Sequence, residues 1–275
     1  MIASIGAVVV PGCASGGAGE ASGRTEVVAG FYPLAFAAES VGGDDVEVTN
    51  LTPAGAEPHD VELSPRDVEA VQSADVVLYL GRDFQPALED AAQSSEGDAI
   101  DLLEGQDLRE GDPHVWLDPL RFAQVVERIG AELGGEARAR QLASELRALD
   151  EEYRAGLADC DRHELVTAHD AFGYLAERYG LEVIPITGIS PEAEPSPRDL
   201  ERVADLVRDR GVTTVFVETL LSPEIGETVA REAGAETAVL NPLEGLTEEE
   251  LARGEDYFSL MEANLEALRD GLGCR

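Results

Sequence analysis

Histidine is scarce in this chain, four in 275 residues, and three of the four stand where an imidazole could hold a metal ion. His114 lies in Gly111-Asp112-Pro113-His114-Val115-Trp116-Leu117-Asp118-Pro119, between two prolines with an acid beside each. Proline fixes φ at about −65° and restricts the residue before it. An imidazole on so stiff a loop loses little entropy when it binds. His59 follows Glu57-Pro58 in a second loop, and His169 follows a short apolar run, Leu165-Val166-Thr167. Three imidazoles brought together make a zinc site, with Zn–N bonds of about 2.0–2.1 Å. His163, in the polar run from Asp161 to Glu164, reads as a solvated surface residue.

Strands and helices must carry these loops to one place. From Thr25 the pattern alternates: strand Glu26–Ala29, helix Pro33–Val41, strand Val46–Leu51 and the His59 loop. A helix opened by Ser64-Pro65-Arg66-Asp67 follows, with Ser as N-cap and Pro at the first helical position. Strand Asp75–Leu80, helix Phe84–Gln93 and strand Ala99–Leu103 lead to the His114 loop and a helix over Pro119–Leu133. Glu136–Asp159 reads as a longer helix, rich in Ala, Leu, Glu and Arg, that connects two lobes. The alternation then restarts with strand Leu165–Thr167, helix Ala171–Tyr179 and strand Leu181–Ile186. A second Ser196-Pro197-Arg198-Asp199 opens the next helix. Strand Val212–Val217 ends at Glu218, helix Pro223–Ala233 follows, and strand Glu236–Leu240 ends at Asn241. A helix over Tyr257–Gly271 closes the chain.

Alternating strands and helices imply parallel sheets covered on both faces. The expected α/β fold is therefore two parallel-sheet sandwiches, an N-terminal lobe over 25–134 and a C-terminal lobe over 161–275, joined by a long rigid linking helix over 135–160. In open α/β sheets, ligands bind beyond the carboxyl ends of the strands. His59 and His114 from the first lobe and His169 from the second are then candidates for one site in the interlobe cleft, with Glu218 and Asn241 at strand ends nearby.

Composition narrows partners and compartment. There are 56 Asp plus Glu against 20 basic residues, all arginine, for a formal net charge of −36. Such a chain repels nucleic acid and anionic membrane surfaces. An acid-rich, lysine-free chain also fits work in concentrated salt, where screening removes the self-repulsion. The apolar stretch from Met1 to Cys13 matches the h-region of an export signal whose start lies upstream, and Val10-Pro11-Gly12-Cys13 reads as a lipobox with Cys13 carrying lipid. Residues 1–24 would then be signal remnant and a flexible tether of small residues, the chain's only hold on a membrane. That leaves Cys160 and Cys274, which an exported chain would oxidise to a disulfide.

The residues alone leave three functions open. One is a metal-capturing receptor with all coordination positions filled by protein. Another is a zinc hydrolase with an open metal position and Glu218 as general base, although no His-Glu-x-x-His pairing occurs. The third is a surface adhesin that also binds metal. Glu57-Pro58-His59-Asp60, Asp112 to Pro119, Ala168-His169-Asp170-Ala171-Phe172-Gly173-Tyr174, Val217-Glu218 and Asn241-Pro242-Leu243-Glu244-Gly245 resemble motifs of the zinc/manganese solute-binding proteins of ABC importers, in the family's order. The resemblance spans roughly residues 25–275. It implies a monomeric extracytoplasmic receptor that holds a metal between its lobes for a membrane permease, with His59, His114 and His169 as ligands. Many members carry an aspartate as fourth ligand where Asn241 stands, so Asn241 is the expected fourth donor here, with Glu218 supporting a ligand from behind. A site of three imidazoles and an amide has no formal ligand charge and should prefer zinc to manganese. The histidine-rich acidic loop of many zinc-specific members has no counterpart, since Glu104–Gly111 is short and lacks histidine.

The charge generates a direct expectation. At about 0.01 M salt the Debye length reaches about 30 Å, so the acidic residues repel across much of the molecule. The melting temperature should rise between roughly 0.05 M and 2 M potassium chloride. An unchanged value, at constant bound metal, would contradict it.

Overall fold

The computed structural model describes residues 23–109, 111–191 and 195–275; the proposed lipid-bearing Cys13 and most of the tether lie outside them. The N-terminal elements are β1 (Thr25–Ala29), α1 (Tyr32–Gly42), β2 (Val46–Asn50), α2 (Pro65–Ser73), β3 (Val76–Tyr79), α3 (Pro86–Ala92), β4 (Asp98–Asp101) and α4 (Pro119–Glu132). Helix α5 (Glu136–Gly156) follows. The second half contains β5 (Glu164–Thr167), α6 (Gly173–Tyr179), β6 (Glu182–Pro185), α7 (Pro197–Arg210), β7 (Thr214–Val217), α8 (Glu224–Ala233), β8 (Glu236–Val239), α9 (Glu248–Arg253) and α10 (Tyr257–Leu272).

Both sheets are four-stranded and wholly parallel, ordered β2-β1-β3-β4 and β6-β5-β7-β8. The two halves thus share one topology, and in each the order reverses beside the first strand, which opens a crevice at the carboxyl edge. The repeated Ser-Pro-Arg-Asp serves the same purpose twice. Ser64 and Ser196 each accept the backbone N–H of the aspartate three residues on, and that aspartate accepts the serine N–H in return. Such reciprocal caps satisfy donors that a helix start otherwise leaves unpaired. Thr247 and Glu250 do the same for α9, a short helix that hydrophobic periodicity alone does not signal.

The linking helix does not stand free between the lobes. Ala139, Leu142, Ala143, Leu146, Leu149 and Tyr153 form a buried stripe at helical spacing. Tyr153 donates its hydroxyl proton to the Met261 carbonyl on α10, at 2.6 Å. One continuous apolar core runs from β1 and α1 through α4 and α5 to Phe172, Leu240 and Tyr257 of the second half. A buried charge cluster reinforces it: Asp118 caps α4 and meets Arg178 of α6, and Asp150 of α5 accepts from Tyr179 and Arg154. Each buried carboxylate therefore keeps a charged or hydroxyl partner, which a buried charge requires.

Cys160 and Cys274 are disulfide-bonded, pinning the segment after α5 to the end of α10 across a sequence separation of 114. Closing so long a loop contributes on the order of 4–5 kcal/mol in the chain-entropy model. Reduction should therefore lower the denaturation midpoint markedly without changing the α/β circular dichroism of the native state. Two free thiols in the unreduced protein would contradict this bond.

Candidate metal centre

His59 sits on a single helical turn, Pro58–Asp60, after β2. Its N–H is accepted by Glu57 Oε1 at 3.3 Å, and the Pro58 carbonyl accepts from the buried Gln85 amide at 3.3 Å. The ring lies edge-on to Phe84, with centroids 4.6 Å apart. His114 is fully buried, and Asp112 Oδ1 accepts both its backbone N–H at 3.0 Å and its Nδ1 at 2.9 Å. His169, equally buried, places Nδ1 at 2.8 Å from both carboxylate oxygens of Glu218, and Glu218 Oε1 also accepts its backbone N–H at 3.2 Å. A carboxylate can only accept, so it draws the proton to Nδ1 and leaves the Nε2 lone pair free.

The loop holding Asp112 is clasped by the second half of the chain. Tyr174 of α6 donates its hydroxyl proton to the Asp112 carbonyl and accepts the Arg109 N–H, both at 2.9 Å. Gly173 permits this approach, because a Cβ there would lie 2.6 Å from Asp112 Oδ2 and 2.7 Å from Arg109 Nε. On the same loop, Trp116 donates its indole N–H to the Pro242 carbonyl at 2.7 Å and accepts at its own carbonyl from Tyr257 at 2.6 Å.

The three Nε2 atoms converge on Glu244. Its Oε1 lies 3.2 Å from His114, 3.3 Å from His169 and 3.6 Å from His59. The four donor atoms all lie within 4.8 Å of one another. None of the three Nε2 atoms, and neither oxygen of Glu244, makes a hydrogen bond of acceptable geometry, although all are buried. Unsatisfied buried groups are costly, and a cation would engage the three Nε2 atoms and the Glu244 carboxylate together. Size fits as well: a tetrahedral shell with bonds of about 2.0–2.1 Å has donor-to-donor edges of about 3.3 Å. The three Glu244 distances match such edges.

Sequence reasoning is corrected at the fourth position. Asn241 does not join the three histidines: its Nδ2 donates to Glu250 Oε1 at 3.0 Å and its Oδ1 accepts the Leu243 N–H at 2.8 Å. The acid three residues on, Glu244, takes the place expected of it, so the donor set carries a formal negative charge rather than none. Glu218, directly after β7, accepts from His169 Nδ1 on the side away from the cluster. His163 is exposed, away from the cluster.

The electrostatics follow from this packing. Burial alone would depress the His114 pKa, but the hydrogen bond with Asp112 and the nearby Glu244 carboxylate outweigh it and hold the imidazole above its usual range. His169 is raised well above that range, with Glu244 and Glu218 together overcoming desolvation. Glu244 moves the other way: burial opposes ionisation, yet His169, His114 and His59 keep its carboxyl well below the usual value. Glu57, at the rim, is pushed up to about 8 by burial and then by the Glu244 charge. In the metal-free protein the ring resonances of His114 and His169 should therefore titrate above the ordinary histidine range by NMR. Midpoints at or below about 6.5 for both would contradict this geometry.

Comparison with known proteins places these features in context. The family model described as "Zinc-uptake complex component A periplasmic" matches residues 27–271. The zinc-binding protein AdcA of Streptococcus pyogenes serotype M6 is 35% identical over 289 residues, covering 90% of this chain and 56% of the relative. This chain thus spans little more than half the length of that relative. The laminin-binding protein Lmb of Streptococcus agalactiae, titled a bifunctional protein with adhesin and metal transporting activity, superposes with a TM-score of 0.84 at 32% identity, covering 90% of this chain and 99% of that one. The Zn(II)-bound ZnuA-like domain of Streptococcus pneumoniae AdcA gives 0.80 at 36% identity, covering 91% and 99%.

Proposed function

This chain belongs to the zinc-uptake component A family, and from that premise we propose that it is an extracytoplasmic receptor that captures zinc and delivers it to the permease of an ABC importer. The observation that carries the reading is the buried convergence of His59, His114, His169 and Glu244 with every facing donor atom unpartnered. Four protein donors fill a tetrahedral shell, which suits capture and leaves no open position for the water that a hydrolase needs. Three imidazoles favour zinc, while manganese leans on more oxygen ligands and a higher coordination number. Glu244 supplies the negative charge that brings the site and a divalent cation closer to neutrality.

Asp112 and Glu218 would act on the metal through the imidazoles, fixing ring orientation and raising basicity. Among the described residues no helix is long and apolar enough to cross a membrane. Attachment through lipid on Cys13 would keep the receptor beside its permease, at the outer face of the membrane. The name of the Lmb neighbour supports a second role in adhesion.

Metal analysis of protein purified without chelator should find one zinc per chain, lost in His114→Ala. Because His114 and His169 hold protons above their ordinary range, zinc must displace protons to bind. Calorimetric heats at neutral pH should thus differ between buffers of different ionisation enthalpy, and affinity should fall as pH is lowered. Retention of the zinc in His114→Ala, or hydrolytic turnover of an ester or peptide by the zinc form, would overturn the reading.

A further inference from the structure

The loop that carries Glu244 is held by a connected set of buried hydrogen bonds around Asn241. Asn264 of α10, buried at 2% exposure, grips the backbone of Asn241 at both ends: its Oδ1 accepts the Asn241 N–H at 2.8 Å and its Nδ2 donates to the Asn241 carbonyl at 2.6 Å. The Asn241 side chain is used at both ends as well. Nδ2 donates to Glu250, and Oδ1 accepts from the backbone of Leu243. Glu250, itself buried, is fixed in turn by the N–H and hydroxyl of Thr247, at 2.7 and 2.9 Å.

The bond to Leu243 explains a backbone anomaly. Leu243 has φ +56°, in the left-handed region that a leucine rarely adopts, and its side chain is fully buried. The Asn241 oxygen closes a tight side-chain turn over Pro242 and makes the hydrogen bond that secures this conformation. Leu243 in the left-handed region sets the direction in which the next residue, Glu244, leaves the backbone. Without that turn the chain would relax toward ordinary φ, and the carboxylate would swing off the three imidazoles.

We propose that Asn241, braced by Asn264 and Glu250, is the positioning residue that aims the Glu244 carboxylate at the histidines, so that the fourth donor is in place before the cation arrives. The proposal rests on the metal-binding reading above and extends it to a residue that does not touch the ion. A preset donor spares the loop its ordering cost on binding.

The test is a mutant cycle read with zinc affinity and with the visible spectrum of cobalt(II), which reports the donor set directly. Asn241→Ala should weaken zinc on the order of 10–100-fold, the usual effect of removing a support for a ligand. Its cobalt spectrum should match that of Glu244→Gln. In the Glu244→Gln background Asn241→Ala should change affinity by no more than about twofold, because its effect runs through the missing carboxylate. A loss of equal size in both backgrounds, or a wild-type cobalt spectrum in Asn241→Ala, would overturn the proposal.

A second arm covers a variant that fails to fold. Asn241→Asp alone sets a carboxylate against Glu250 and should lose affinity. Combined with Glu250→Gln it exchanges the amide and the acid, keeps the acceptor for Leu243, and should restore both zinc binding and the cobalt spectrum. Failure of the exchange to restore them would overturn the proposal, as would manganese gaining on zinc in the exchanged protein, since the residue would then be donating to the ion. Wild-type protein that binds neither zinc nor cobalt would remove the metal reading and the proposal with it. Wild-type binding with any of the contrary results removes the proposal alone.

Discussion

A carboxylate buried among three imidazole nitrogens, none of them properly hydrogen-bonded, is the constraint from which the rest of this structure follows. Polar groups are buried only when something compensates them, and here the compensation is divided. The far side of His114 and of His169 is satisfied by Asp112 and Glu218, while the near side is left facing a common centre. In the metal-free state the Glu244 carboxylate and the imidazoles of His114 and His169 each favour the other's charged form, which is why their pKa values move in opposite directions. A divalent cation held there would compete with protons for the same imidazole nitrogens.

Holding four donors from four loops requires that the loops share a rigid frame. Two parallel sheets of identical order carry the donors on loops that follow β2, β4, β5 and β8. The frame is stiffened where the lobes meet. Trp116 reaches across to Pro242, Tyr174 grips the Asp112 carbonyl, and the half-buried Arg178 of α6 meets the buried carboxylates of Asp118 and Asp150, at the start of α4 and on α5. Because His114 and Trp116 share one loop, the contact that fixes a histidine in the first half also fixes the Glu244 loop in the second. Removing a side chain from that interface would disturb both halves of the site.

Much of this arrangement is legible in the amino-acid sequence, for identifiable reasons. Alternating apolar runs and capped helices define parallel α/β lobes, because period and capping are local properties. Ser64 and Ser196 announce their helices through residues three positions apart. The scarcity of histidine, and the placing of His59, His114 and His169 in loops after strands, singles out three donors without any knowledge of distance. The pairing of Cys160 with Cys274 follows from counting once Cys13 is set aside, and the structure forms that bond.

Only the tertiary structure decides the fourth donor. Asn241 directly follows β8 and stands where an acid would be expected to ligate, yet its amide is consumed by Glu250 and by the backbone of Leu243. The left-handed turn at Leu243 then delivers Glu244 instead. No local signal could reveal this, since leucine disfavours that conformation and adopts it here only under bonds from Asn241 and, through it, from Asn264 on a helix far along the chain. Position after a strand places a residue at the correct edge of a sheet. Which side chain of the loop turns inward depends on the hydrogen bonds that hold Asn241 and on the left-handed turn at Leu243, and both rest on partners distant in sequence.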